Sequence, residues 1–147
     1  MFDDLDAPDA PRVRASLRLR GDTLDPEFLT QQLGVAPTLA ARQGDAIAGS
    51  RGRVRDSGIW LYRLDAPPGT ELGEVVSMLL APFPDDSTLW EELTSTYAAD
   101  VRCELFLEGE AQGTAIDAEV LQRLGRLGLP LTLDFRALEG SDEADDA

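Results

Sequence analysis

The feature that most constrains this chain is a strict alternation near its start. Val13, Ala15, Leu17 and Leu19 take every second position, and Arg12, Arg14, Ser16, Arg18 and Arg20 fill the places between. Successive side chains of a strand point to opposite faces, so this segment has one apolar face and one basic face. A sheet built on it must be covered on one side and left in water on the other. Two further stretches repeat the pattern. Val101, Cys103, Leu105 and Leu107 oppose Arg102, Glu104, Phe106 and Glu108, while Leu129, Leu131, Leu133 and Phe135 oppose Thr132, Asp134 and Arg136. Ile59 to Leu64 reads as another strand, closed by Asp65-Ala66-Pro67-Pro68-Gly69.

Helical signals lie between the strands. Asp25-Pro26-Glu27 places an N-cap, a proline at the first helical position and an acid in the first turn; Phe28, Leu29 and Leu33 form the apolar stripe, and Gly34 stops the helix. Leu72, Val75, Val76, Leu79 and Leu80 keep helical spacing until Pro82 and Pro84 break it. Thr88 and Glu91 have the spacing of a capping box for the next helix, with Leu89, Trp90, Leu93 and Tyr97 inward. Asp117 caps a last helix with Val120, Leu121, Leu124 and Leu127 inward, Ile116 and Leu121 spaced for a hydrophobic staple, and Gly128 at its end.

These elements predict an α+β fold: a single open-faced antiparallel or mixed sheet of about four strands, with the helices packed on one face. A faint echo between residues 17–39 and 105–133 suggests two strand–helix–strand halves, although any strand–helix–glycine–strand unit would look alike. The expected organisation is an acidic, disordered arm over 1–11, one globular domain over 12–138 and an acidic, disordered tail over 139–147. Those two ends hold nine of the 28 acids and none of the 13 basic residues, so they supply most of the net charge of −15.

Composition removes many kinds of chemistry. The chain has no Lys, no His and no Asn, and every basic residue is Arg. Without His it lacks the commonest general base and zinc ligand, and without Lys it has neither a Schiff-base amine nor a Walker-type phosphate loop. The bias against AT-rich codons points to a GC-rich bacterial genome. The single cysteine, Cys103, fits a reducing cytoplasm, and no h-region or membrane-length apolar run is seen. The acidic balance argues against nucleic acid as a partner. No cofactor is expected, and the paired acids lack the spacing of a calcium loop, so no metal is expected either.

The order Leu17-Arg18-Leu19-Arg20-Gly21-Asp22, the Asp25-Pro26-Glu27 helix, Leu33-Gly34-x-x-Pro37-Thr38, Gly44-Asp45 and Gly58-x-Trp60 resembles the bacterial domain of unknown function 4279 family. The closing Leu127-Gly128-Leu129-Pro130-Leu131-x-Leu133-Asp134 agrees with it, and the resemblance spans roughly 13–136. It implies a small bacterial α+β domain and supplies no activity or catalytic residue.

The candidate binding residues are Arg42, Asp45, Arg51, Arg53, Arg55 and Trp60. Clustered guanidinium groups grip carboxylate or phosphate in bidentate fashion, and glycines let backbone amides approach an anion. The plainer alternative, a solvated loop answering acid elsewhere, is favoured for the arginines; for Trp60 the plainer alternative is a place in the core. The charged sheet face is a third candidate, with Arg12, Arg14, Arg18 and Arg20 opposing Glu104, Glu108 and Asp134 as ion pairs or as a docking platform. The expected function is a non-catalytic protein-interaction domain, in a specific version an immunity-type protein that neutralises a basic toxin. The alternative is a small-anion-binding domain or minor enzyme using the Gly/Arg-rich loop 42–58. No membrane partner is expected, and oligomeric state is left open.

Overall fold

The computed structural model describes residues 10–109 and 112–137. Five strands, β1 (Arg12–Gly21), β2 (Leu39–Ala41), β3 (Gly58–Asp65), β4 (Ala98–Leu107) and β5 (Leu131–Ala137), form one mixed sheet in the order β2-β3-β1-β4-β5. Four helices, α1 (Pro26–Leu33), α2 (Leu72–Leu80), α3 (Ser87–Thr96) and α4 (Ala118–Leu127), complete the α+β fold. β1 lies antiparallel between β3 and β4, β2 pairs antiparallel with β3, and β5 runs parallel to β4. The parallel pair needs a crossover, which α4 supplies. The first four strands thus have the split βαβ arrangement, to which α4 and β5 add a further unit.

The sheet has one strand more than the four segments read from the sequence, within the expected α+β architecture of about four strands. β2 is three residues long, too short to carry an alternation, and it lies inside what reads as loop. The echo of two halves is likewise only partial. β4 and β5 pair directly, whereas β3 is inserted between β1 and β2.

The alternation of β1 is realised in full. Val13, Ala15, Leu17 and Leu19 are buried beneath the helices, beside Trp60 of β3 and Val101, Cys103 and Leu105 of β4. Each large apolar side chain so buried contributes about 1.5–3 kcal/mol. α2 contributes Leu72, Val75, Val76, Leu79 and Leu80, all buried, and stops ahead of Pro82. Phe83, in the link to α3, meets Trp60, Tyr62 and Trp90 edge-on at centroid distances of 6.0, 5.2 and 6.4 Å.

Helix boundaries follow the sequence signals with one exception. Asp25 caps α1 through Phe28 N–H, Asp117 caps α4 through Val120 N–H, and Gly34 and Gly128 close these helices at φ 72° and 74°. At α3 the cap is Asp86, which accepts from the amides of Thr88 and Leu89, and not Thr88. The run Asp85-Asp86-Ser87-Thr88 offers several legal caps, and the structure uses an earlier one.

Three apolar readings change. Phe28 is exposed although Leu29 and Leu33 are buried, Leu121 is exposed although Val120 and Leu124 are buried, and Leu133 and Phe135 are exposed although Leu129 is buried. The Ile116–Leu121 staple therefore does not bury Leu121. The last two changes share a cause. α4 packs chiefly against α3 and α2, which leaves the outer margin of the sheet uncovered. The expected arm and tail lie outside the described residues, apart from Ala10 and Pro11.

Candidate functional site

The Gly/Arg segment is an ordered hairpin that prolongs the β2–β3 pair. Gly44 N–H donates to Arg55 O at 2.9 Å, Arg55 N–H to Asp45 O at 2.8 Å, and Ile47 N–H to Arg53 O at 2.9 Å. Ala46 and Val54 bridge across it, and Ser50 turns back onto Ile47 O at the tip. Asp45 closes the near end, its carboxylate accepting Arg42 N–H at 2.8 Å. The hairpin returns through Gly58, whose α-carbon has no room for a side chain. A Cβ there would stand 2.9 Å from the Leu24 Cβ and 3.2 Å from Ala41 O. Gly58 thus permits the close approach of β1, β2 and β3 just before Trp60 enters the core.

This geometry disperses the sequence-predicted site. The Arg42 guanidinium turns to the start of α1, where it pairs with Asp25 at 3.1 Å and with Glu27. Arg51 and Arg53 are exposed along the hairpin. Arg55 is half-buried, and among the described residues its Nε is buried without a hydrogen-bond partner. Trp60 is fully buried and donates its indole N–H to Thr30 Oγ1 at 3.1 Å, so it is core and faces no ligand. The four loop arginines therefore do not act as one cluster, since Arg42 is committed to α1.

A surface not anticipated from sequence is built around α1. Phe28, 45% exposed, stands between two open grooves. One, of about 580 Å³, runs along Asp25, Pro26, Glu27, Thr30, Gln31, Pro37 and Ala40. The other, of about 330 Å³, lies between α1 and α3 and is lined by Gln32, Leu89, Glu92, Leu93, Ser95, Thr96 and Tyr97. The Asp25 carboxyl is held below its usual range by the Phe28 amide, aided by Glu27 and Arg42. The first groove carries Asp25 and Glu27, which share Arg42, and the second carries Glu92. The sequence does flag Phe28 as apolar, but helical spacing assigns it to the buried stripe.

The open sheet face is the second polar surface. By register it carries Arg12, Arg14, Arg18, Arg20, Arg63, Arg102 and Arg136 against Asp65, Asp100, Glu104 and Asp134, so it is net basic within an acidic chain. Arg14 pairs with Asp65 at 2.7 Å, Arg102 with Asp134 at 2.5 Å, and Arg136 with Glu104 at 3.1 Å. At the centre Arg18 grips Asp100 through two bonds of 2.9 and 2.6 Å, and Thr132 adds a third at 2.6 Å. Burial pushes the Asp100 carboxyl up, but the bonds from Arg18 and Thr132 outweigh it and hold the group below its usual range. The predicted partners of β1 are thus replaced. Asp65 takes Arg14 and Asp100 takes Arg18, while Asp134 and Glu104 serve Arg102 and Arg136. Glu108 lies beyond the end of β4. On the opposite face Cys103 is buried, and burial with the nearby Asp100 charge pushes its thiol up to about 12, so it is inert.

Fold and surface together define a small α+β domain with one helix-covered and one open sheet face. The profile of the domain of unknown function family DUF4279 matches residues 11–138, most of the chain, and the chain belongs to that family. No curated protein and no solved structure matches it significantly. Among the described residues no helix is long and apolar enough to cross a membrane.

Proposed function

We propose that this chain is a non-catalytic protein-interaction domain of the bacterial cytoplasm that binds a basic partner, in the manner of an immunity protein. The observation that carries the reading is Phe28, a large aromatic exposed between two acidic grooves. Aromatic side chains near the centre of a contact supply much of its binding energy. The net basic sheet face would repel a basic partner, and the surface around Asp25, Glu27 and Glu92, which stays net acidic with Arg42 counted, would attract one. The test is affinity purification of the tagged chain from its host, followed by titration of the recovered partner. Phe28→Ser is expected to weaken binding at least tenfold without lowering the melting temperature. A partner held equally well by Phe28→Ser, or one of acidic charge, overturns the reading.

Arg55 supports a second reading, a small-anion site on the hairpin. Its Nε is buried and unpartnered among the described residues, and Arg51 and Arg53 lie close in the chain. Inorganic phosphate or pyrophosphate at a hundred times its dissociation constant would stabilise the fold by about 2.7 kcal/mol. A thermal shift at low salt that vanishes in Arg51→Ala/Arg53→Ala/Arg55→Ala supports this reading, and a flat response eliminates it.

A further inference from the structure

We propose that β5 is a homodimerisation edge, pairing antiparallel with β5 of a second copy about a twofold axis at Leu133. β5 is the last strand of the sheet, with no strand beyond it among the described residues. Edge strands of soluble domains are usually blunted by charge, proline or a covering element. This one carries its charges, Asp134 and Arg136, on the open face, where they are paired with Arg102 and Glu104, and presents Leu133 at 39% and Phe135 at 63% exposure on the helix side of the sheet.

Backbone geometry selects the register. Val101 N–H donates to Pro130 O, and Val101 is the register partner of Leu131. In a parallel ladder this aims the N–H and C=O of Leu131, Leu133 and Phe135 away from β4, towards the open edge. A twofold axis at Leu133 sets Leu133 against its own copy and Leu131 against Phe135 of the copy, all in hydrogen-bonded positions. One side of the ribbon is then a continuous apolar stripe. On the other side Thr132 faces Asp134 of the copy, and each Asp134 is already neutralised by Arg102 of its own chain. No like charges therefore stand directly opposite across the axis. An axis at Asp134 would set carboxylate against carboxylate, which disfavours that register.

Two chains of net charge −15 repel, so the dimer should tighten as salt rises and screening improves. Sedimentation or light scattering on the full chain, from low to several hundred micromolar, reads the mass directly. The expected result is a shift from 15.9 kDa to twice that value, favoured by salt and abolished by Leu133→Lys. Because Leu133 is exposed in the single chain, that variant should fold normally, which circular dichroism checks. As a second readout, Leu133→Cys should form an intermolecular disulfide on mild oxidation. Directly opposed hydrogen-bonded residues lie about 5.5 Å apart at Cα, within disulfide reach. Cys103 is the register neighbour of Leu133, so this variant is made with Cys103→Ala. A chain that stays at 15.9 kDa throughout, or a dimer indifferent to Leu133→Lys, overturns the proposal.

Discussion

β1 and β5 are written in nearly the same code and end in opposite situations. Both alternate apolar and polar residues, and in both the apolar set faces the helix side of the sheet. In β1 every apolar residue is buried, while in β5 exposure rises along the strand from Leu131 to Phe135. The difference lies in the neighbours. β1 has a strand on each side and α2 across it, while among the described residues β5 has one strand neighbour and a connecting helix that leans inwards on α2 and α3. Alternation therefore specifies which face a side chain takes, and position in the sheet specifies whether that face is covered.

The sharpest way to break this contrast is to shorten the same residue type in both strands. Leu17→Ala should cost about 2–5 kcal/mol, because it leaves a cavity at the centre of the core. Leu133→Ala, measured in dilute solution where the chain is single, should cost under about 1 kcal/mol. Denaturant unfolding at matched concentration compares them. Equal losses would mean that β5 is covered as well as β1.

Much of this was legible before the structure. The strands β1, β4 and β5 follow from alternation, β3 from an apolar run closed by prolines and glycine, and the caps Asp25 and Asp117 and the stops Gly34 and Gly128 from helix-capping chemistry and glycine's freedom at positive φ. Residues whose fate depends on partners distant in sequence were not legible. Phe28 and Leu121 keep helical spacing yet lie at the margins of their buried stripes, and β2 is defined by its pairing with β3. Asp100 continues the alternation of Arg102 and Glu104 backwards by one step, but its pairing with Arg18 of β1 is set by the sheet register. Closeness in the chain groups the loop arginines. Only the fold shows that Arg42 belongs to α1.

The ion pairs of the open face sharpen the comparison between centre and margin. Asp100→Ala leaves Arg18 without its main carboxylate and Thr132 without its acceptor, at an expected cost of about 2 kcal/mol. Asp65→Ala removes a partner of Arg14 that is largely exposed, and should cost at most about 0.5 kcal/mol. The pH dependence has a definite sign. The Asp100 carboxyl is depressed in the folded chain, so its contribution is present above the unfolded value of about 4 and is lost as pH falls through the folded value. Wild type should therefore lose more stability than Asp100→Ala between neutral and strongly acidic pH. Parallel acid titrations of the two proteins would refute this assignment.

A last contrast separates two glycines of the segment that leads into β5. Gly128 stands at φ 74°, where a side chain is strained, and its N–H closes α4 onto the carbonyls of Leu124 and Gly125. Gly128→Ala should destabilise the fold by about 1 kcal/mol. Gly125 lies inside α4 with open space where a Cβ would stand, and Gly125→Ala should stabilise by about 0.5–1 kcal/mol. Amide exchange then tests whether β5 depends on this link. In Gly128→Ala the amides of β5 should exchange faster by more than those of β1, because among the described residues β5 is held by β4 alone and the turn that aims it along β4 is strained. Uniform acceleration across both strands would show that the sheet opens as one unit, and the contrast between β1 and β5 would then concern burial alone.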